Sequence, residues 1–423
     1  MRVPGWVAAA VAAAVAVSLP TPGGAAAPRS GAAACPTLTP DPGWYGDNLA
    51  ALQDFIDAAG MCAQPQAHPL AVFDWDNTMV RNDTGDATLV WMLRDSKVRQ
   101  PAGKDWSTTS RYLTPAAADA LSTACADAAD AGQPLPTADH APCADEILSV
   151  YRDASTTDHQ AAFGNHDHRR IEPALAWAAQ LLAGYTPDEV LAFARAARED
   201  SLAAPPGSTR TVGTHQVPTW VRYYRQMADL VDTLRRAGFD VRVVSASPEP
   251  VARVWAEALG LTADKVIGIR NQVGASGELT PHLTGCGGAD TDTVITYIEG
   301  KRCFINQEIL GISGAAAFAP APSERRQAFA AGDSTTDVTF VGDATGLRLA
   351  INRNLPELMC HAYDNDDGRW LVNPMFIDPL PARATRYPCS TTAYTRPDGS
   401  AGPVLDIQGR VIPDQADTVH GSA

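Results

Sequence analysis

Residues 69–78 read PLAVFDWDNT, and this stretch determines the prediction of the fold. Four apolar residues, 70–73, are followed at once by charged and polar ones. A short apolar run of this kind is typical of a strand buried in a parallel sheet. The acidic residues Asp74 and Asp76 then stand at the carboxyl end of that strand. Because ligands bind at this edge of open α/β sheets, both aspartates are candidates for a functional site.

Further apolar runs along the chain predict four more strands, with helical segments between them. Apolar residues at helical spacing predict helices at 49–59 and 220–234. Ser247 is predicted to cap another helix, with Pro248 at its first position. The additional strands are predicted at residues 240–244, 265–269, 328–332 and 347–351. Strands that alternate with helices predict an α/β fold with a doubly wound, Rossmann-like parallel sheet.

Four sets of polar residues occur in a suggestive order along this pattern. Three of them follow predicted strands, whose carboxyl ends meet at one edge of the sheet. The remaining one is an isolated lysine, for which Lys301 and Lys265 are the two candidates between the second and fourth sets. Lys265 begins a predicted strand and would lie at the opposite end, which favours Lys301. The candidate residues are Asp74, Asp76 and Thr78, then Ser245, then Lys301, and finally Asp333 and Asp337.

In order and content these sets resemble the four motifs of the haloacid dehalogenase superfamily, as in phosphoserine phosphatases and secreted phosphorylcholine phosphatases. The resemblance covers about residues 69–354, and the insertion between the first two sets matches only in position. Two aspartates separated by one residue are weak evidence by themselves, whereas four elements in the right order are a strong signal. The resemblance implies a haloacid dehalogenase core with a mainly helical cap inserted between the first and second motifs.

The resemblance also implies catalytic roles that agree with the chemistry of the side chains. Asp74 is expected to attack phosphorus and form a covalent intermediate. Asp76 is expected to protonate the leaving alcohol and later to deprotonate the water that cleaves the intermediate. Lys301 is expected to neutralise the negative charge that develops on the phosphoryl group.

Phosphate and metal binding are expected from the remaining motif residues. The hydroxyls of Thr78 and Ser245 are expected to bind phosphate oxygens. Mg²⁺ prefers hard oxygen ligands, and Asp337, one helical turn after the fourth motif begins, is expected to support it from further out. The expected metal ligands are Asp74, Asp333 and the backbone carbonyl of Asp76.

The N-terminus and the cysteines predict an exported protein. Arg2 precedes an apolar stretch at 7–19 and then small residues, which is the pattern of a cleaved signal peptide. Eight cysteines without a CxxC pair favour disulfides in an exported chain. The simplest pairs are sequential neighbours: Cys35 with Cys62, Cys125 with Cys143, Cys286 with Cys303, and Cys360 with Cys389. The predicted domains are the signal peptide at 1–34, the two core parts at 35–84 and 216–379, the cap at 85–215 and an irregular tail at 380–423.

The composition argues against two classes of partner. A formal net charge of −15 opposes the binding of nucleic acids and of anionic membrane surfaces, which are held mainly by Lys and Arg. No segment after the signal peptide is apolar over the roughly 20 residues that a membrane span needs. We therefore expect the mature form to contact neither nucleic acid nor membrane.

The predicted function is that of a secreted, magnesium-dependent phosphomonoesterase acting on a small phosphorylated metabolite through an aspartyl phosphate. Phosphocholine, phosphoethanolamine and phosphoserine are candidate substrates. Asp86 is a candidate for attracting a substrate cation, whereas a carboxylate in an exposed loop is the simpler interpretation. Two alternatives stay open. A dehalogenase on the same scaffold would leave Asp76 and Asp333 without a role. A non-catalytic exported binding or surface protein would normally have lost a motif residue, and here all are present.

Overall fold

The computed structural model describes residues 34–421, and its centre is a sheet of six parallel strands. Five of the strands were expected from the sequence, and the doubly wound parallel sheet is confirmed. The sixth, at the edge of the sheet, is absent from the sequence prediction. The strands are β1 (Leu70–Phe73), β2 (Asp240–Pro248), β3 (Val266–Ile269), β4 (Phe329–Gly332), β5 (Leu347–Asn352) and β6 (Trp370–Pro374), in the order β6-β5-β4-β1-β2-β3.

Strand β1 lies in the middle of the sheet, between β4 and β2. All four of its residues are buried, as the continuous apolar run predicts. Ala71 and Phe73 contribute to the hydrophobic core on one face of the sheet, whereas Leu70 and Val72 contribute to the core on the other. Because both faces are covered, the residues that follow β1 emerge at a dry, central point of the sheet edge.

Helices cover both faces of the sheet. Those that pack on the face of Phe73 are α1 (Asn48–Ala59), α7 (Arg225–Arg236) and α8 (Glu249–Glu257). Those that pack on the face of Val72 are α9 (Glu299–Phe304), α10 (Val338–Asp343) and α11 (Pro356–Asp364). Helix α9 continues into a short π-helix at Ile305–Ile309. The helices expected at 49–59 and 220–234 correspond to α1 and α7, but α7 begins later than expected because Arg222–Tyr223 form a strand.

A largely helical insertion separates β1 from α7. A short antiparallel ribbon, Val80–Arg81 with Arg222–Tyr223, stands at its base and brings the two ends of the insertion together. The insertion has its own hydrophobic core, which includes Trp106 and Trp177. Its helices are α2 (Thr84–Arg94), α3 (Pro115–Cys125), α4 (Ala141–Asp153), α5 (Pro173–Gln180) and α6 (Pro187–Ala203), and a hairpin joins Thr209–Val212 to His215–Pro218. The cap boundaries of 85 and 215 stay a prediction.

Two further hairpins and four disulfides complete the chain. The hairpins pair Asn271–Val273 with Leu279–Leu283 and Tyr394–Thr395 with Ala401–Gly402. The cysteines pair as sequential neighbours, as expected: Cys35–Cys62, Cys125–Cys143, Cys286–Cys303 and Cys360–Cys389. Within residues 34–421 no helix has the length and apolar character of a membrane span. The predicted signal peptide lies outside the described residues except for Ala34.

Candidate active site

The loop after β1 carries the first two aspartates in a tight turn. Asn77 adopts a left-handed backbone conformation with φ of 61°, which asparagine tolerates better than most residues. Its side-chain oxygen accepts a hydrogen bond from the backbone N–H of Asn82, 3.0 Å away, which closes the loop. Asp74 and Asp76 are 4% and 9% exposed, so both carboxylates are buried.

The carboxylate of Asp74 is held at both oxygens. Lys301 Nζ donates to Oδ1 over 2.5 Å, and the Thr78 hydroxyl lies 3.0 Å from Oδ2. The same hydroxyl lies 3.0 Å from Oδ1 of Asp333, at the end of β4. Thr78 therefore stands between two facing carboxylates. The sequence predicts instead that this hydroxyl binds phosphate, and that role stays a prediction.

Asp333 and Asp337 come from the loop between β4 and α10. Asp337 Oδ1 accepts a second hydrogen bond from Lys301, over 2.6 Å, while its Oδ2 accepts the backbone N–H groups of Asp333 and Ser334, each over 3.0 Å. Arg353, just beyond β5, donates to Oδ2 of Asp333 over 2.5 Å. The structure thus brings Asp74, Lys301, Asp333 and Asp337 together, as the motif order predicts.

Backbone hydrogen bonds fix the position of the helix that carries Lys301. Ile298, just before α9, has a positive φ of 44°, an uncommon conformation for a β-branched residue. Its N–H donates to the carbonyl of Thr336 over 3.0 Å, and its carbonyl accepts the hydroxyl of Thr339 over 2.5 Å. A disulfide also joins Cys303 in α9 to Cys286. Helix α9 is therefore attached to the segment that contains Asp337.

Asp76 makes a different kind of contact, with neutral donors. Its Oδ1 accepts the backbone N–H and the hydroxyl of Thr84, both over 2.7 Å. Its Oδ2 accepts the hydroxyl of Ser247 over 2.7 Å and that of Ser245 over 3.3 Å. Ser245 therefore reaches the site as predicted, but it contacts Asp76, and its binding to phosphate stays a prediction.

The predicted helix cap at Ser247 is wrong. Ser247 still belongs to β2, and α8 begins at Glu249 with no side-chain cap from Pro248. Because the strand continues through residue 248, the side chain of Ser247 points to Asp76 instead of the first turn of α8. The residue that looked structural is thus part of the site.

Two half-buried aspartates lie at the start of α2, close to Asp76. Asp83 caps α2 by accepting the backbone N–H of Asp86 over 2.9 Å. Asp86 accepts the hydroxyl of Tyr151, from α4 of the insertion, over 2.5 Å. Neither aspartate forms an ion pair with another residue between 34 and 421. The Asp86 predicted from the sequence is therefore next to the site, together with Asp83.

Burial is the main cause of the pKa shifts on the Asp74 side of the site, which comprises Asp74, Asp333 and Asp337. It raises the pKa of Asp74 to about 7, although Lys301 opposes the shift, and the neighbouring Asp333 adds to it. Burial also raises the pKa of Asp333, against the opposing effect of Arg353, and raises the pKa of Asp337. Burial alone would lower the pKa of Lys301, but Asp337 and Asp74 raise it. Each carboxyl here binds a proton more tightly than it would in water.

The same cause acts on the Asp76 side. Burial raises the pKa of Asp76, although hydrogen bonds from Thr84 and Ser247 oppose the shift. Burial raises the pKa of Asp83 well above its ordinary value, and Asp76 adds to this. The pKa of Asp86 is also raised by burial, against the hydrogen bond from Tyr151. A carboxyl with a raised pKa is suited to donate and accept protons near neutral pH.

The Asp74 side also has the donor set of a divalent-cation site. Asp74, Asp333 and Asp337 each offer one oxygen, and these oxygens all lie within 4.8 Å of one another. The Thr78 hydroxyl has one proton and cannot donate to Asp74 and Asp333 at once. One of the two facing oxygens therefore needs a proton or a cation. Hard, buried oxygens with this need fit Mg²⁺.

Three residues of the site are absent from the sequence prediction: Thr84, Ser247 and Arg353. Arg353 lies two residues beyond the predicted fifth strand, so the rule that placed Asp74 at a strand end could have found it. Thr84 gave a weaker signal, since it depends on how the insertion begins. The position of Ser247 depends on the exact end of β2, which the apolar pattern does not reveal.

One family model matches part of the chain. The family model of haloacid dehalogenase-like hydrolases matches residues 148–341, which include Ser245, Lys301 and Asp333. No match is found among curated proteins.

Solved structures include similar folds. A conserved protein of unknown function from Anaerococcus prevotii DSM 20548 is 19% identical, with a TM-score of 0.57, over 78% of this chain and 92% of that chain. A protein of unknown function from Bordetella pertussis Tohama I is 18% identical over 73% and 100% of the two chains, with a TM-score of 0.43. A substrate-bound phosphoserine phosphatase is 15% identical over 69% and 91%, with a TM-score of 0.32. The likeness to the first of these supports the fold. Over residues 148–341 the chain is therefore similar to haloacid dehalogenase-like hydrolases, and the doubly wound parallel sheet agrees with that similarity.

Proposed function

We propose that the chain is an exported, magnesium-dependent phosphomonoesterase that acts on a small phosphorylated metabolite. The observation that carries the proposal is the position of Asp74, a buried carboxylate between Lys301 and two further buried aspartates, Asp333 and Asp337. A carboxylate held in this way is oriented as a nucleophile, and the adjacent cation favours an anionic reaction partner. Asp76, with its raised pKa, is close by on the same loop.

In the first step a carboxylate oxygen of Asp74 forms a bond to phosphorus, and the bond from phosphorus to the alcohol oxygen breaks. Asp76 gives its proton to that oxygen as it leaves. Lys301 stays within reach of the phosphoryl oxygens, because α9 holds it against Asp74. The product of this step is an aspartyl phosphate on Asp74 and a free alcohol.

In the second step Asp76, now a carboxylate, takes a proton from water. The water oxygen forms a bond to phosphorus, and the bond between phosphorus and Asp74 breaks, which releases phosphate and restores Asp74. The hydroxyls of Ser247 and Thr84 keep the Asp76 carboxylate in place. One side chain therefore serves as acid and then as base without moving away from its donors.

Asp74 and Asp333 would hold Mg²⁺, with Asp337 supporting them. Bound Mg²⁺ offsets the repulsion between the anionic nucleophile and the anionic phosphate. The alternative of a metal-independent dehalogenase does not account for Asp333, Asp337 and Asp76, which are all buried beside Asp74.

The substrate class that we propose is a phosphomonoester whose alcohol carries a cationic group. Asp83 and Asp86 are half-buried beside Asp76, the residue that we expect to face the leaving alcohol. Neither forms an ion pair within residues 34–421, although the charge of Arg353 lowers the pKa of both. A quaternary or primary ammonium group would give these two carboxylates a direct cationic partner. This reasoning supports phosphocholine, phosphoethanolamine and phosphoserine as candidates, in agreement with the sequence.

The decisive experiment is phosphate release from p-nitrophenyl phosphate by chain exported into an oxidising compartment. We expect activity with Mg²⁺, no activity with EDTA, and a loss of at least about 10⁴-fold in Asp74→Asn. Asp119→Asn, an exposed change of the same type in the insertion, is the matched control and should keep full activity.

The same preparation tests the substrate class. We expect the three ammonium-bearing phosphomonoesters to be cleaved with a higher kcat/KM than p-nitrophenyl phosphate, because the alcohol of p-nitrophenyl phosphate has no cationic group. If folded protein releases phosphate from none of these compounds, the phosphatase proposal fails and the alternative of a binding protein takes its place.

A further inference from the structure

Two basic side chains, not one, contact the carboxylates of the active site. Lys301 donates to Asp74 and Asp337. Arg353 donates to Asp333 over 2.5 Å. Neither the family resemblance nor the motif order assigns a role to Arg353.

The contacts of Asp74 and Asp333 mirror each other. In Asp74 the oxygen Oδ2 faces Thr78, and the other oxygen is held by Lys301. In Asp333 the oxygen Oδ1 faces Thr78, and the other oxygen is held by Arg353. Each carboxylate therefore has an inner oxygen directed at its partner and an outer oxygen bound to a cation.

We propose that Arg353 is a positioning residue for the metal site, which holds the outer oxygen of Asp333 so that the inner oxygen faces Asp74. This inference rests on the proposed function, since it takes Asp333 to be a metal ligand. Groups that hold a ligand in its orientation contribute strongly to metal affinity in general. Asp333 is 1% exposed, so water does not replace the guanidinium easily if it is removed.

Arg353 is suited to this role because it is accessible from outside while its partner is not. Its side chain is 32% exposed, against 1% for that of Asp333. Replacement of Arg353 therefore leaves the hydrophobic core intact. The inner oxygen of Asp333 remains free of Arg353, so the guanidinium has no need to leave when a metal binds.

The test is magnesium binding, measured by calorimetry with Mg²⁺ alone on the wild-type chain, on Arg353→Gln and on Arg353→Lys. The matched control is Arg348→Gln. Arg348 lies in β5, which Arg353 follows, and it forms its ion pair with Asp367 and not with a residue of the site. We expect Arg353→Gln to bind Mg²⁺ about tenfold more weakly or worse. Arg353→Lys should recover part of the affinity, and Arg348→Gln should match the wild type.

A second readout separates positioning from general damage to the fold. In EDTA, Arg353→Gln and Arg348→Gln should melt at similar temperatures. With p-nitrophenyl phosphate, a large excess of Mg²⁺ should restore most of the kcat of Arg353→Gln, because its chemical groups are intact. It should not restore the kcat of Asp74→Asn.

Three results would overturn the inference. If Arg353→Gln binds Mg²⁺ as well as the wild type does, the contact has no positioning role, and the proposed function survives. If it binds Mg²⁺ more tightly, Arg353 competes with the metal instead of supporting it. If the wild-type chain itself binds no Mg²⁺, Asp333 is not a metal ligand, and the proposed function fails together with this inference.

Discussion

Two groups of carboxylates meet at the loop after β1, and they are held by different donors. The cation-paired carboxylates, Asp74, Asp333 and Asp337, contact Lys301 or Arg353. The neutrally bonded carboxylates are Asp76, Asp83 and Asp86. They contact hydroxyls and backbone N–H groups instead, from Thr84, Ser247, Tyr151 and the first turn of α2.

The two sets of donors favour different protonation states in carboxylates that lie close together. A charged donor favours the ionised carboxylate, which is what a nucleophile or a metal ligand requires. A neutral donor favours it less, so a buried carboxyl can keep a proton until the reaction takes it.

Asp76→Asn should remove proton transfer by the neutrally bonded group. We expect kcat to fall about 10³-fold, since general acid and base catalysis contributes on this scale. With p-nitrophenyl phosphate the leaving group is good and needs little help, so the phosphorylated form of Asp74 should accumulate. Mass spectrometry of protein quenched with acid would detect it. An unmodified protein with the same loss of rate would contradict the assignment of Asp76 to the second step.

Lys301→Met should remove the positive charge shared by Asp74 and Asp337 in the cation-paired group. We expect kcat/KM to fall about 10²-fold, which is typical for the loss of one preorganised group that stabilises the transition state. The protein should also melt at a lower temperature, because Asp74 and Asp337 lose a shared partner while buried. Lys301→Arg keeps the charge and serves as the control; it should be affected less in both measurements.

Asp86→Asn should separate recognition of the substrate from chemistry. We expect kcat/KM for phosphocholine to fall about tenfold, because one of the unpaired carboxylates beside the leaving alcohol is lost. The rate with p-nitrophenyl phosphate should change less than about twofold. Equal losses with both substrates would show that Asp86 acts on Asp76 and not on a substrate cation.

Ser247→Ala should have a smaller effect, because Asp76 keeps Thr84 as a donor. The hydrogen bond from Ser247 lowers the pKa of Asp76, so its removal should raise that pKa further. The pH profile of kcat should therefore shift towards higher pH, with a loss of only about threefold at the optimum. A profile that keeps its position would contradict the contact between the two side chains.

A further prediction concerns stability without metal and does not involve catalysis. Burial raises the pKa of Asp74 from 3.8 to about 7, so the folded state binds a proton more tightly than the unfolded state does. In EDTA, stability should therefore fall as pH rises from about 4 to about 7. Thermal unfolding should show a lower melting temperature at pH 7 than at pH 5, with a weaker dependence in Asp74→Asn. A melting temperature that rises over this range would contradict the shift.

The sequence predicts the central part of the fold well, because β1, β2, β3, β4 and β5 are short apolar runs between helical segments. Strand β6 was missed since it lies at the edge of the sheet, where Asn373 and Pro374 interrupt the apolar pattern. At the site, the motif residues that follow strands were found from their order. Ser247, Thr84 and Arg353 were not, because their roles depend on which way a side chain points at the end of an element, and spacing alone does not determine that.

The attachment of α9 to the segment after β4 has a consequence for how this protein can change in evolution. Lys301 keeps its place through the backbone of Ile298, which Thr336 and Thr339 bind, and through the disulfide at Cys303. The segment between Cys286 and Ile298 is packed as well, since Val294 and Ile295 are buried and the hydroxyl of Thr296 donates to the carbonyl of Ser245 over 2.5 Å. We expect substitutions there to be tolerated only where these contacts persist, and the lysine then stays beside Asp74. A lysine that is held by tertiary contacts needs no particular sequence motif around it. This explains why the order of the motifs along the chain identifies Lys301 better than its neighbouring residues do.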